Sequence, residues 1–176
     1  MKCVKRTSFA KWPCSIARTV DLLGDWWTPL VLREAFYGVR RFEEFQESLG
    51  IGRNILTERL RRLVQQDLME RRKYQDRPER FEYVLTTKGR DFYPVLAVIV
   101  AWGDRWLDRG KGAPALLRHR TCGKITHAEV VCAECGEALV ARDMTVELGP
   151  GFPPKLIDHP ITRARFTGKT RSAALS

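Results

Sequence analysis

Residues 41–86 read RFEEFQESLGIGRNILTERLRRLVQQDLMERRKYQDRPERFEYVLT, and the organisation of this stretch decides the fold. Phe42, Phe45 and Leu49 stand at i, i+3, i+7, a short helix that Gly50 ends. After the Gly50-Ile51-Gly52 turn comes a second helix, about Arg53 to Gln66, with Leu56, Leu60, Leu63 and Val64 in one apolar stripe. At helical spacing Asn54, Glu58, Arg61 and Gln65 occupy the opposite face, flanked by Thr57 and Arg62. Leu68–Tyr74 and Phe81–Thr86 then alternate and carry aromatic and β-branched residues, with the turn signal Asp76-Arg77-Pro78 between them. The spacing predicts a hairpin with a basic tip over Gln75–Arg80. A helix apolar on one side and studded with Asn, Thr and Arg on the other suits insertion into an anionic groove, and double-stranded DNA is the partner it implies.

The flanking segments complete a pattern. Ile16, Val20 and Leu23 predict a first helix that stops at Gly24. Asp25 or Thr28 can cap a second, because Pro29 is tolerated only in a first turn. Thr86 or Thr87 can cap a last long helix carrying Phe92, Val95, Leu96, Ile99, Trp102 and Trp106 on one stripe, with Pro94 kinking it or delaying its start. Three helices, a turn, a fourth helix, a hairpin and a final helix are the order of a winged helix-turn-helix: mainly α with a small β wing, an α+β fold. Arg53, Asn54, Thr57 and Arg61 are then the expected base readers, since Asn pairs bidentately with adenine and Arg with guanine. Arg77 and Arg80 in the wing would meet phosphates or the adjacent minor groove. A charged helix face alone would signify only solvation; the glycine turn and the basic hairpin shift the balance.

Composition agrees. The 176 residues are 44% apolar with a formal net charge of +10, enough for one good core and indicative of an anionic partner. The longest apolar run, Val95 to Trp102, falls far short of the ~20 residues of a membrane helix, and the basic N-terminus lacks an apolar signal core. A cytoplasmic protein is expected, with no membrane partner. The chain divides into a basic flexible arm (1–13), the DNA-binding and dimerisation domain (14–109), a Cys/His-rich segment (116–148) and a basic flexible tail (149–176).

At this point the residues resemble a known family. Cys14-Ser-Ile-Ala-Arg-Thr-Val-Asp-Leu-Leu-Gly-Asp-Trp-Trp-Thr-Pro-Leu-Val-Leu-Arg33-Glu resembles the opening signature of the HxlR-type winged helix-turn-helix transcriptional regulators, within the MarR-like superfamily. Arg41-Phe-Glu-Glu-Phe, the Ile51–Leu63 run and Tyr83-Val-Leu-Thr-Thr-Lys-Gly89 are similar to further parts of that pattern. The resemblance implies a homodimer formed largely by the terminal helices on a two-fold symmetric operator, with a repressor the expectation. It also implies response to an oxidant, electrophile or small molecule. In some members a cysteine at the position of Cys14 is a redox-sensing thiol. Lys11, Arg18 and a helix start nearby would favour thiolate; the ordinary alternative is a small residue packed against the second helix.

Four further residues form a matched pair. His119-Arg-Thr-Cys122-Gly123 and Cys132-Ala-Glu-Cys135-Gly136 each separate two ligand types by two residues and end on Gly. Such knuckles predict a zinc-ribbon-like segment holding one structural Zn²⁺ through His119, Cys122, Cys132 and Cys135, with His127 a competitor for the fourth place. Free thiols, or an empty site with a Cys132–Cys135 or Cys122–Cys135 disulfide, are the alternatives. Two rival functions follow from the cluster: a zinc-ribbon interaction module of the transcription machinery, and a thiol redox enzyme. The second expects a βαβ context that the surroundings do not offer.

Overall fold

The computed structural model of the chain describes residues 8–166. The outer part of the expected N-terminal arm and the end of the expected tail lie outside the described residues. Helix α1 (Ser15–Leu23) ends at Gly24, and Asp25 then decides where α2 (Trp27–Phe36) begins. Its Oδ1 accepts the N–H groups of Trp27 at 3.0 Å and Thr28 at 3.2 Å. Of the two candidate caps Asp25 serves, because it precedes the turn and reaches donors that have no partner within the helix. Thr28 is instead buried.

Helix α3 (Phe42–Leu49) closes on Gly50, whose φ of 59° suits glycine, and α4 (Arg53–Gln65) follows. Val31 and Leu32 of α2, Phe45 of α3, Ile51 of the turn, and Leu56, Leu60 and Leu63 of α4 are each at most 2% exposed and form one core. Burying each such aliphatic side chain contributes roughly 1.5–3 kcal/mol, so the α4 seam is the main force orienting that helix. Two of its arginines reinforce the docking: Arg59 pairs with Asp25, and Arg62 donates to the Asp21 carbonyl of α1.

Strands β1 (Met69–Asp76) and β2 (Glu79–Leu85) pair antiparallel from Met69 opposite Leu85 to Asp76 opposite Glu79. The loop is only Arg77-Pro78, so Gln75 and Arg80, expected in the tip, belong to strands. Tyr74 is an extra residue in β1, a bulge between the Lys73–Phe81 and Gln75–Arg80 pairs. The wing is also stitched to α3: Tyr83 N–H donates to the Arg40 carbonyl at 2.8 Å, and Arg41 forms an isolated antiparallel bridge with Glu82.

At the base of the wing Thr86 caps a one-turn helix, α5 (Thr87–Arg90), accepting from Gly89 N–H at 3.0 Å and donating to the Asp67 carbonyl at 2.7 Å. Lys88 Nζ donates to the Gln66 carbonyl at 2.7 Å, so this corner closes the end of α4. Helix α6 (Tyr93–Trp106) starts next with Pro94 in its first turn; the proline delays the helix rather than kinking it.

Beyond α6 the expected zinc ribbon is not what forms. Strands β3 (Leu117–Arg118) and β4 (Ile125–Thr126) make one two-residue pairing, and a separate turn is closed by a single bridge between Val131 and Ala138. In the stretch expected as a tail, α7 (Pro160–Phe166) brings Phe166 to 6.0 Å from Phe152, centroid to centroid. The described residues divide into two compact units, residues 19–128 and residues 8–18 with 129–166. Among the described residues no helix is long and apolar enough to cross a membrane.

Gly89 is the tightest packing constraint: a Cβ there would lie 2.0 Å from the Leu68 carbonyl oxygen. Gly89→Ala is expected to cost about 3 kcal/mol or more, because backbone on both sides must shift. Urea unfolding of the variant checks this, and a midpoint equal to that of the parent would refute it.

Candidate nucleic-acid interface

With its leucine seam buried, α4 must present Arg53, Asn54, Thr57, Glu58 and Arg61 to solvent, and all five are exposed. Arg53 lies over the Phe42 ring at 5.2 Å, and Thr57 Oγ1 donates back to the Arg53 carbonyl at 2.8 Å. Arg61 is engaged by a neighbour: its Nε and Nη2 donate to Glu58 at 2.9 and 2.7 Å. Those bonds hold the Glu58 carboxyl below its ordinary value and raise the Arg61 guanidinium. The sequence reading gave Arg61 the same standing as Arg53; in the fold it is a paired cation.

Between α3, the start of α4 and the wing runs a cleft of about 640 Å³ that Arg41, Arg53, Arg71 and Arg80 line. Arg80 thus joins Arg53 at one site, whereas Arg77 stands exposed at the hairpin loop outside it. Arg41 and Arg71 escaped sequence reasoning. Alternation along the strand placed Arg71 on a face, but nothing before folding showed that the face meets α3. Glu44 sits at the rim, accepting the N–H groups of Arg41 at 3.0 Å and Arg40 at 3.2 Å, and those bonds lower its pKa.

The cysteine cluster requires a correction. His119 and Cys122 meet each other, Nδ1 to Sγ at 3.4 Å, across a turn closed by Gly123 N–H on the His119 carbonyl at 2.7 Å. Around Cys132, the backbone N–H groups of Cys135 and Glu134 and the Cys135 thiol draw its pKa down. Each knuckle therefore forms, but as its own turn with two ligand types. Among the described residues no three His, Cys, Asp or Glu side chains come together to hold a metal, whereas a structural zinc needs four. His127 lines a small cavity with Ala97, Ala101 and Leu117. The zinc expectation fails because each turn, with Gly123 and Gly136 at φ of 70° and 77°, gathers only two of the four ligands that a structural zinc needs. Cys14 is exposed, its Sγ accepting Ala17 N–H at 3.5 Å at the start of α1.

A polar helix face held out by a leucine seam, beside an arginine-lined wing, defines a winged helix-turn-helix DNA-binding protein. The chain belongs to the HxlR-like helix-turn-helix family, whose sequence model matches residues 22–111. It is 48% identical over 142 residues to Rv3095 of Mycobacterium tuberculosis (strain ATCC 25618 / H37Rv), an uncharacterised HTH-type transcriptional regulator, covering 81% of this chain and 90% of that one. PA1607, solved as a candidate transcription factor, superposes with a TM-score of 0.73 at 36% identity over 81% of this chain and 100% of its own. PA1374 of Pseudomonas aeruginosa, also solved as a candidate transcription factor, gives 0.57 at 40% identity over 81% and 97%. The match to Rv3095 exceeds the family match by more than the residues preceding it, so the likeness continues into the segment after Lys111. The chain is accordingly a DNA-binding transcriptional regulator, and not an enzyme.

Glu58 places a negative charge on this exposed face and holds Arg61. Glu58→Gln removes that negative charge and releases Arg61, so it is expected to tighten duplex binding several-fold at moderate salt. Fluorescence anisotropy on a labelled duplex reads the effect; equal or weaker binding would count against a role for Arg61 on DNA.

Proposed function

We propose that the protein is a cytoplasmic repressor that binds a two-fold symmetric operator as a homodimer. The observation that carries this reading is α4 itself: its leucine seam is buried and its Arg, Asn and Thr residues are exposed beside the wing. Arg53, Asn54, Thr57 and Arg61 read base edges in the major groove, and Arg77 and Arg80 meet phosphate oxygens. Pairing of two copies is supported by α6, which leaves Val95, Ile99, Trp102 (58%) and Trp106 (61%) exposed along its length. An apolar face of that kind signals a partner surface. Two recognition helices would then address half-sites about 34 Å apart, one turn of DNA.

Selection from a randomised duplex pool is expected to enrich an inverted repeat, and sedimentation to give a dimer. A selection that enriches nothing would overturn the reading. Asn54→Ala is expected to cost about 1–3 kcal/mol on the enriched duplex and to relax the preference at one base pair.

Cys14 is the candidate thiol for an oxidant response, on the strength of its exposure at the start of α1. Diamide is expected to weaken operator binding by the parent and not by Cys14→Ser. Equal loss in both would remove Cys14 from the mechanism.

A further inference from the structure

Four arginines line the wing cleft, and Arg41 and Arg71 among them are held in place by aromatic rings. Arg71 lies over the Phe81 ring at 3.4 Å, and Arg41 over Tyr74 at 4.9 Å. The Tyr74 ring reaches Arg41 from the extra residue that the β1 bulge supplies. Three carboxylates also line the cleft: Glu79 is taken by Lys73 Nζ at 2.8 Å, Glu44 caps α3, and Glu43 lies in the first turn of α3. Arg41 Nε faces Glu44 Oε1 at 3.9 Å, whereas among the described residues Arg53, Arg71 and Arg80 have no carboxylate partner, and the first turn of α4 has no side-chain cap.

We propose that Arg41 and Arg71, stacked on Tyr74 and Phe81, seat a phosphodiester of the DNA backbone in the cleft and so fix the register in which α4 meets the bases. The inference rests on the DNA-binding reading and adds to it two positioning residues on opposite sides of the cleft. A guanidinium stacked on a ring loses rotamer freedom without losing its charge, so little entropy remains to be lost when an anion arrives, and the N–H edge of Arg71 has no carboxylate on it. The hydrogen bond from Tyr83 N–H to the Arg40 carbonyl ties both walls together, so the spacing between Arg41 and Arg71 is set before DNA is met. Uncapped N–H groups at the start of α4 add donors suited to the same phosphate. A phosphate contact carries no sequence information, and this sets Arg71 apart from Asn54.

The test uses the full chain with two probes: a duplex enriched from the randomised pool and a shuffled duplex of the same length and composition. Arg71→Ala is expected to weaken both about tenfold and to lower the slope of log K against log salt by about one. Phe81→Leu, which keeps the charge and removes the ring, is expected to weaken both with the slope unchanged. Replacing single phosphates of the enriched duplex by neutral methylphosphonates provides a reading that does not depend on how a variant folds. One backbone position should weaken the parent and leave Arg71→Ala unaffected. Arg71→Ala binding both duplexes like the parent would overturn the proposal, as would a loss confined to the enriched duplex, which would make Arg71 a base reader. Failure of the parent to bind either duplex would be the distinct failure of the DNA reading itself.

Discussion

Burial of Leu56, Leu60 and Leu63 against Val31, Leu32 and Phe45 is the constraint from which the rest of the domain follows. A helix has one rotational degree of freedom about its axis, and a three-leucine seam removes it. Once the seam faces the core, Arg53, Asn54 and Thr57 have no direction left except outward. The Asp25–Arg59 pair works on the same helix, and Asp25 also begins α2. One carboxylate thus couples the start of the scaffold helix to the docking of the helix it supports.

Charge on the outer face is graded by neighbours rather than by residue type. Of the four arginines on α4, Arg59 and Arg62 turn inward to Asp25 and Asp21, Arg61 is held by Glu58, and Arg53 rests on a ring. Counting basic residues on a helix therefore overstates the cations ready for an anionic partner. In the wing Arg72 and Lys73 are paired with Glu70 and Glu79, whereas stacking on Phe81 constrains Arg71 without neutralising it.

Much of this was legible in the chain, since the periodicities are strong: the four-helix order, the Gly50 turn and the hairpin follow from local spacing, whereas Thr86, expected to cap the last long helix, caps the one-turn α5 instead. Local spacing puts Gln75 and Arg80 in a broad tip, because one extra residue at Tyr74 shifts the pairing and no local signal marks a bulge. Arg41 and Arg71 come together only through the stitch between α3 and β2, a long-range contact that composition cannot reveal. The cysteine knuckles misled for a related reason. Ligand spacing describes what a turn can present, and a Cys-x-x-Cys-Gly turn also satisfies its own backbone without an ion.

The hydrogen bond from Tyr83 N–H to the Arg40 carbonyl, with the Arg41–Glu82 bridge beside it, has a bearing on control. It removes the hinge that would let the wing swing away from α3, and the Thr86–Asp67 bond closes the other end of the hairpin. The head that meets DNA is therefore a single stiff body with one shape. A signal received elsewhere has no wing to fold away and no recognition helix to rotate. In the homodimer proposed above, control would fall on where that body is held, through separation and tilt set outside the reading surface.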